Sequence, residues 1–151
     1  MIDTTNQTLK FVKTHPDAVL PERKHKSTLN GDTGYDVTAV ENTLIPARGS
    51  ATVPVGLVLA DMPNHTWGRL ESRSGLKFRH NIHCFPGVID CNYRGSMDIN
   101  LNNSSDVDYQ VRKGDRIAQL ALYPLIVPET QWADAATDTD RGANGFGSTG
   151  R

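Results

Sequence analysis

The chain has little of what marks a secreted, membrane-spanning or polyanion-coating protein. Its 151 residues hold only two cysteines, Cys84 and Cys91. That is too few for a disulfide scaffold and fits reduced thiols in a cytoplasm. No segment approaches the roughly 20 apolar residues of a membrane span. Residues 1–6 lack a basic stretch followed by an apolar one, so no secretion leader is expected. The sequons at Asn64 and Asn102 then read as chance. Sixteen basic against seventeen acidic residues leave a net charge of −1. No global field therefore draws the chain to nucleic acid or an anionic membrane. The densest basic run, residues 22–26, has no aromatics interleaved and reads as a solvated loop between Pro21 and the turn at Asn30-Gly31. No internal repeat is visible.

What is present is strand signal. The length suits one domain with a real core, and 37% hydrophobic with 22% charged residues is ordinary for a globular chain. Met97-Asp98-Ile99-Asn100-Leu101 alternates apolar and polar, as a half-buried strand does. Residues 9–12, 35–40, 51–53, 56–59, 67–70 and 117–122 also read as strands, bounded by turn formers such as Pro46, Pro63-Asn64 and Lys113-Gly114-Asp115. Only residues 75–79 suit a short helix. Many short strands with regular turn signals predict an all-β sandwich or barrel with jelly-roll or Greek-key connections. We divide the chain into a β-barrel body, residues 1–133, and a flexible linker with a glycine-rich arm, residues 134–151.

The arm is the most informative stretch. Residues 141–150 combine Arg141, Phe146, Ser148, Thr149 and glycines at 142, 145, 147 and 150. Such a segment loses much entropy on ordering and buries little. It reads either as a solvated tail or as an arm that orders over an anionic ligand, with Phe146 offering a stacking face. Residues 145–150 match G-x-G-x-x-G, but a dinucleotide fold needs a strand before and a helix after it, so that match is rejected. His80, His83 and Cys84 lie close in sequence, yet the closing set of a tetrahedral zinc site is missing.

Four further segments have the look of polar loops at strand ends: Thr33-Gly34-Tyr35-Asp36, Glu71-Ser72-Arg73-Ser74-Gly75-Leu76, residues 87–95, and residues 114–120 with the polar Gln119. Each has a plain reading: Arg73 paired with Asp115 at the surface, Asp36 capping a turn, Tyr93 in the core. As a set they describe a phosphate-rich ligand, a hard cation, an acid to handle water, and aromatic faces for a base and sugar.

With the arm, these segments form five ordered motifs over residues 33–150, and the chain resembles the trimeric dUTP diphosphatases (dUTPases). The resemblance implies a distorted jelly-roll-like subunit, a homotrimer with shared active sites, no nucleic-acid or membrane partner, and a cytoplasmic location (host cytoplasm if viral). It implies hydrolysis of dUTP to dUMP and pyrophosphate with Mg²⁺ on the triphosphate, limiting uracil in DNA and supplying dUMP for dTMP synthesis. Asp90 would be the general base, and Asp36 would hold Mg²⁺ through a water. Arg73, Ser74, Gly75 and Gln119 would bind phosphates. Tyr93 would lie against the deoxyribose, and backbone groups from Cys84 to Gly87 and Val88 would read uracil. From the arm, Arg141 would grip phosphate, Phe146 would stack on uracil, and Gly147, Ser148 and Thr149 would add contacts.

The sequence departs from the family in three places. Asn92 stands where a second acid is common. Glu71-Ser72 replaces Ala-Pro, bringing a carboxylate that needs a basic neighbour. Ala143-Asn144 replaces Ser-Gly, with Asn144 expected to tolerate the positive φ. Two other readings stand beside this one: a dCTP deaminase relative, for which no placed glutamate is found in residues 97–101, and a dUTPase-fold, nucleotide-gated interaction protein.

Overall fold

β-Branched and aromatic residues recur at period two between turn formers, and strands follow from that. In the structure, a computed structural model describing residues 7–147, 149 and 150, eleven strands and one helix succeed one another among the described residues. They are β1 Lys10–Lys13, β2 Tyr35–Thr38, β3 Thr43–Ile45, β4 Ser50–Val53, β5 Leu57–Asp61, β6 Thr66–Glu71, α1 Ser74–His80, β7 Ile82–Cys84, β8 Gly87–Ile89, β9 Ile99–Asn103, β10 Tyr109–Val111 and β11 Arg116–Pro124. The strand pairs are antiparallel. They make a four-stranded sheet ordered β2-β11-β6-β8, a three-stranded sheet β4-β9-β7, and the pairs β1-β5 and β10-β3. This is the expected all-β, jelly-roll-like architecture with one short helix, in separate sheets rather than a closed barrel.

The core is aliphatic. Ile45, Val53, Val55, Leu59, Ile99, Leu101, Val111 and Leu120, drawn from all four sheets and the β4–β5 connection, are fully buried. β9 keeps the alternation read from the sequence but begins two residues later, at Ile99. Met97 instead donates its amide to the Leu57 carbonyl (2.9 Å), and the Asp98 carboxylate accepts the Val55 amide (3.1 Å). β2 likewise stops at Thr38 because the Ala39 amide bonds to the Asp115 carbonyl (2.8 Å), outside the ladder. The strands missed by sequence reading, β3, β7, β8 and β10, are three residues each, too short to display a period.

β11 is one of the two inner strands of the larger sheet, paired on one side with β2 and on the other with β6. Two consecutive buried residues, Ile117 and Ala118, break its alternation. The register with β2 shifts between Arg116 and Ala118, a bulge that absorbs the extra residue and re-aims Arg116. Beyond Pro124 the chain leaves the sheet, and its described residues other than Gly145 are exposed. Trp132 and Phe146 are 103% and 114% accessible.

Candidate active site

The register of the four-stranded sheet aligns the first polar corner. Asp36 on β2 faces Gln119 on β11, and Gln119 faces Glu71 at the end of β6. Gln119 lies over Gly34, where any Cβ would collide with its amide, and its Nε2 donates to the Ser72 carbonyl (3.0 Å). Arg73, between β6 and α1, donates from Nε to Asp36 Oδ1 (3.0 Å) and from Nη1 to the Arg116 carbonyl (3.1 Å). Arg116 Nη1 reaches Asp36 Oδ2 at 3.5 Å. Two guanidiniums therefore bracket one carboxylate. The surface pair Arg73–Asp115 does not form, because Asp115 Oδ2 accepts the Arg112 amide (2.9 Å) within its own turn.

Asp36, Arg73, Ser74 and Gln119 line one cavity of about 270 Å³ with Lys24, Asp32, Thr33 and Gly34. Gly75 lines the neighbouring hollow of about 360 Å³, which shares Arg73. Asp32 and Lys24 were missed by sequence reading, and Arg116 was given no role. Asp32's carboxyl is held below the usual range by the His25 amide first, then by the His25 ring and Arg23. Glu71 finds the basic neighbour it needs two residues back on the same strand face, where Arg69 Nε sits 2.8 Å from its Oε1.

The second corner lies where β8 ends. Asp90 lines a hollow of about 590 Å³ with Asp61, Trp67, Cys91, Asn92 and Arg94. Its carboxylate has no hydrogen-bond or ion-pair partner among the described residues, while its carbonyl accepts the Tyr93 amide (3.0 Å). Tyr93 is not in the core. It is 40% accessible, its ring lies on Gly95 and its hydroxyl donates to the Ser96 carbonyl (2.8 Å).

One chain does not bring the two corners together. Asp36 and Asp90 stand on opposite edges of the sheet, three strand spacings apart. Ile89 pairs with Gly68, so Asp90 falls beside Trp67, four residues along β6 from the row of Asp36, Gln119 and Glu71. At about 4.8 Å per strand and about 3.4 Å per residue, the diagonal is roughly 20 Å.

β7 and β8 follow one another without pairing, β7 lying against β9 and β8 against β6. The Cys84 amide donates to Ser72 Oγ (2.9 Å) and the Phe85 amide to the Asn100 carbonyl (3.0 Å). Both donors are therefore engaged, and the free edge of β8, with Gly87 and the exposed Val88, is the larger source of unpaired backbone groups. Burial, reinforced by Glu71, pushes the Cys84 thiol up to about 11.

The described arm residues line neither corner's cavity. Arg141 Nε instead donates to the Asn144 carbonyl (2.7 Å), closing a local turn. Positive φ falls on Gly142, Phe146 (52°), Gly147 and Gly150 and not on Asn144, whose amide bonds back to the Arg141 carbonyl (3.2 Å). Thr149 is exposed, and Ser148 lies outside the described residues. Among the described residues no three His, Cys, Asp or Glu side chains converge as metal ligands, and the His80 ring rests 5.0 Å from that of Tyr109. The carboxylates Asp36 and Asp32 with the Gln119 amide make an oxygen-rich but sparse donor set. Both carboxylates are already engaged, Asp36 by Arg73 and Arg116 and Asp32 by His25, so a hard cation there would be held through water and chiefly by the ligand's own oxygens.

Arg73 and Lys24 in one polar cavity of an all-β chain make a corner whose charge and donors are of the kind that binds phosphate. The family model for dUTPase matches residues 22–150. A mitochondrial deoxyuridine 5'-triphosphate nucleotidohydrolase of Dictyostelium discoideum is 42% identical over 95% of this chain and 78% of its own length. The dUTPase of Staphylococcus bacteriophage 80alpha, solved with dUpNHpp, superposes with a TM-score of 0.87 at 27% identity over 97% of this chain and 100% of that one. A variant dUTPase of S. aureus phage phi11, whose structure details the coordination of a structural Mg(II) ion, gives a TM-score of 0.77 at 25% identity, covering 85% and 98%. The chain belongs to the dUTPase family.

Proposed function

We propose that this chain is a dUTP diphosphatase, hydrolysing dUTP to dUMP and pyrophosphate as a homotrimer with active sites shared between subunits. The observation that carries the reading is the cavity in which Asp36, Arg73, Ser74 and Gln119 converge. Sharing is supported by the roughly 20 Å between Asp36 and Asp90 in one chain, too far for one carboxylate to deliver water to a triphosphate held by the other corner.

In this reading Asp90 accepts a proton from a water whose oxygen attacks the α-phosphorus in line. The bond from that phosphorus to the bridging oxygen breaks, and pyrophosphate leaves with the electron pair. Arg73, Ser74 and Gln119 hold the phosphates, since this chemistry needs positioning and charge neutralisation more than covalent help. When bound, Mg²⁺ neutralises triphosphate charge, with Asp36 as its water-mediated holder. Tyr93 takes the deoxyribose, its ring fixed by Gly95 and the Ser96 carbonyl. Uracil is read by backbone groups around Cys84, Gly87 and Val88. Residues 134–151 serve as linker and arm: Arg141 on phosphate, Phe146 over uracil, and Gly147, Ser148 and Thr149 closing around the ligand. The full exposure of Phe146 supports an arm that finds its partner elsewhere. The free thiols of Cys84 and Cys91 support a reducing compartment, the cytoplasm.

A pyrophosphate-release assay over dUTP, UTP, dCTP and dTTP, with and without Mg²⁺, tests the reading. It expects turnover of dUTP alone and a strong dependence on Mg²⁺. Comparable rates on dCTP or UTP contradict it.

A further inference from the structure

The basic run of residues 22–26 is not the free solvated loop its composition suggests. Residues 22–33 wind around the Arg23 guanidinium. Nη1 donates to the carbonyls of Ser27 (3.2 Å) and Asp32 (3.0 Å), and Nη2 to that of Lys26 (2.8 Å). The same group lies 5.8 Å from the centre of the Tyr35 ring. The His25 amide donates to Asp32 Oδ2 (3.0 Å), and the Asp32 amide to the His25 carbonyl (2.9 Å). Gly31 permits this closure, because any Cβ there would collide with the Ser27 and His25 carbonyls. At its base the loop is bonded to the site strand, the Asp36 amide donating to the Glu22 carbonyl (2.8 Å).

This loop carries Lys24 to the cavity that holds Asp36, Arg73, Ser74 and Gln119. Lys26 is committed to Glu22 (3.3 Å), whereas Lys24 has no hydrogen-bond or ion-pair partner among the described residues. Arg73 is already divided between Asp36 and the Arg116 carbonyl. The lining carboxylates Asp32 and Asp36 offset Arg73 and Lys24, so an entering polyphosphate meets one uncommitted cation. A lysine ammonium, with three donors on a flexible stem, suits non-bridging phosphate oxygens as a point charge.

We propose that Lys24 binds the β- and γ-phosphates of the substrate, the portion that leaves as pyrophosphate, and that the Arg23-wound loop is its positioning device. The inference rests on the reading of the cavity as the triphosphate site. It assigns a role to a residue outside the five motifs.

Calorimetric titration of the full chain with dUpNHpp and, separately, with dUMP tests it. Lys24→Ala is expected to weaken dUpNHpp about tenfold, the size of one charge-assisted contact. Its affinity for dUMP, which lacks those phosphates, stays within about twofold of wild type. Lys24→Arg retains most of the dUpNHpp affinity, and Lys24→Met, which keeps an apolar stem of similar length without the charge, behaves as Lys24→Ala. In turnover, KM for dUTP rises with a smaller change in kcat, and the melting temperature does not move. Undiminished dUpNHpp binding by Lys24→Ala, or an equal loss for dUMP, overturns the inference. Wild-type protein that binds dUpNHpp but releases no pyrophosphate from dUTP overturns the proposed activity and leaves Lys24 standing.

Discussion

At the Asp36 corner the carboxylate is bracketed by Arg73 and Arg116 before any ligand arrives, whereas at the Asp90 corner of the same sheet the carboxylate has no partner among the described residues. The first corner is built to hold. Gln119 is wedged over Gly34 and tied to Ser72, so its geometry is set by packing. The second is open, with an exposed and unpaired acid on a tight turn braced by Tyr93 and Arg94. Under the proposed function, binding and chemistry are divided between two places roughly 20 Å apart. In the proposed trimer a second copy of the chain would reunite them.

The contrast is open to direct perturbation. Asp90→Asn removes the base without touching the holding corner. Turnover falls by about 10³-fold, within the range for general-base loss, while titration with dUpNHpp gives wild-type affinity. Near-normal turnover would remove Asp90 from the mechanism. Stopping the chain after Asp140 removes the arm and lowers kcat/KM by about 10²-fold, as loss of a closing segment does. Analytical ultracentrifugation of that truncated chain should still find a trimer, since the sheet is untouched. Full activity would make the arm a tail.

Smaller effects probe each corner singly. Gly34→Ala drives Gln119 off its seat and raises KM for dUTP about tenfold, with little change in dUMP binding. Tyr93→Ala acts at the other corner and narrows the preference for dUTP over UTP about tenfold in competition assays. An unchanged ratio would remove Tyr93 from the sugar. The smallest effect is on stability. The Cys84 thiol, raised by burial and Glu71 to about 11, stays protonated in the fold where the unfolded chain ionises. Its contribution is fully present below about pH 9 and lost as pH rises toward about 11. Denaturant titrations across that window should slope downward for wild type and less so for Cys84→Ala.

Much of this was legible in the sequence, and the illegible parts share a cause. The alternation around Ile99 and Leu101 and the short helix after Arg73 are local signals, and the structure keeps both. β3, β7, β8 and β10 are stabilised by partners distant in sequence, such as Ile82 paired with Asn103, and three residues carry no period of their own. At the site, Asp36, Arg73, Ser74 and Gln119 stand in compact motifs and converge as a set. Lys24 and Asp32 do not, because the loop that presents them is held by Arg23 donating to backbone carbonyls, which any residue type supplies. The positive φ expected at Asn144 falls on Gly142 and Phe146 instead, and the 141–144 turn is closed by the Asn144 amide on the Arg141 carbonyl and by Arg141 Nε on the Asn144 carbonyl.

The shared site is tested most directly by mixing two crippled chains. Asp36→Asn and Asp90→Asn subunits, each inactive alone, are unfolded together, refolded and assayed for pyrophosphate release from dUTP. If each site takes Asp36 from one subunit and Asp90 from another, random trimers regain about a quarter of wild-type activity. If both residues serve the same site within one chain, every site in the mixture carries a defect. Activity then stays at the level of the separate variants, and the division between the corners is wrong.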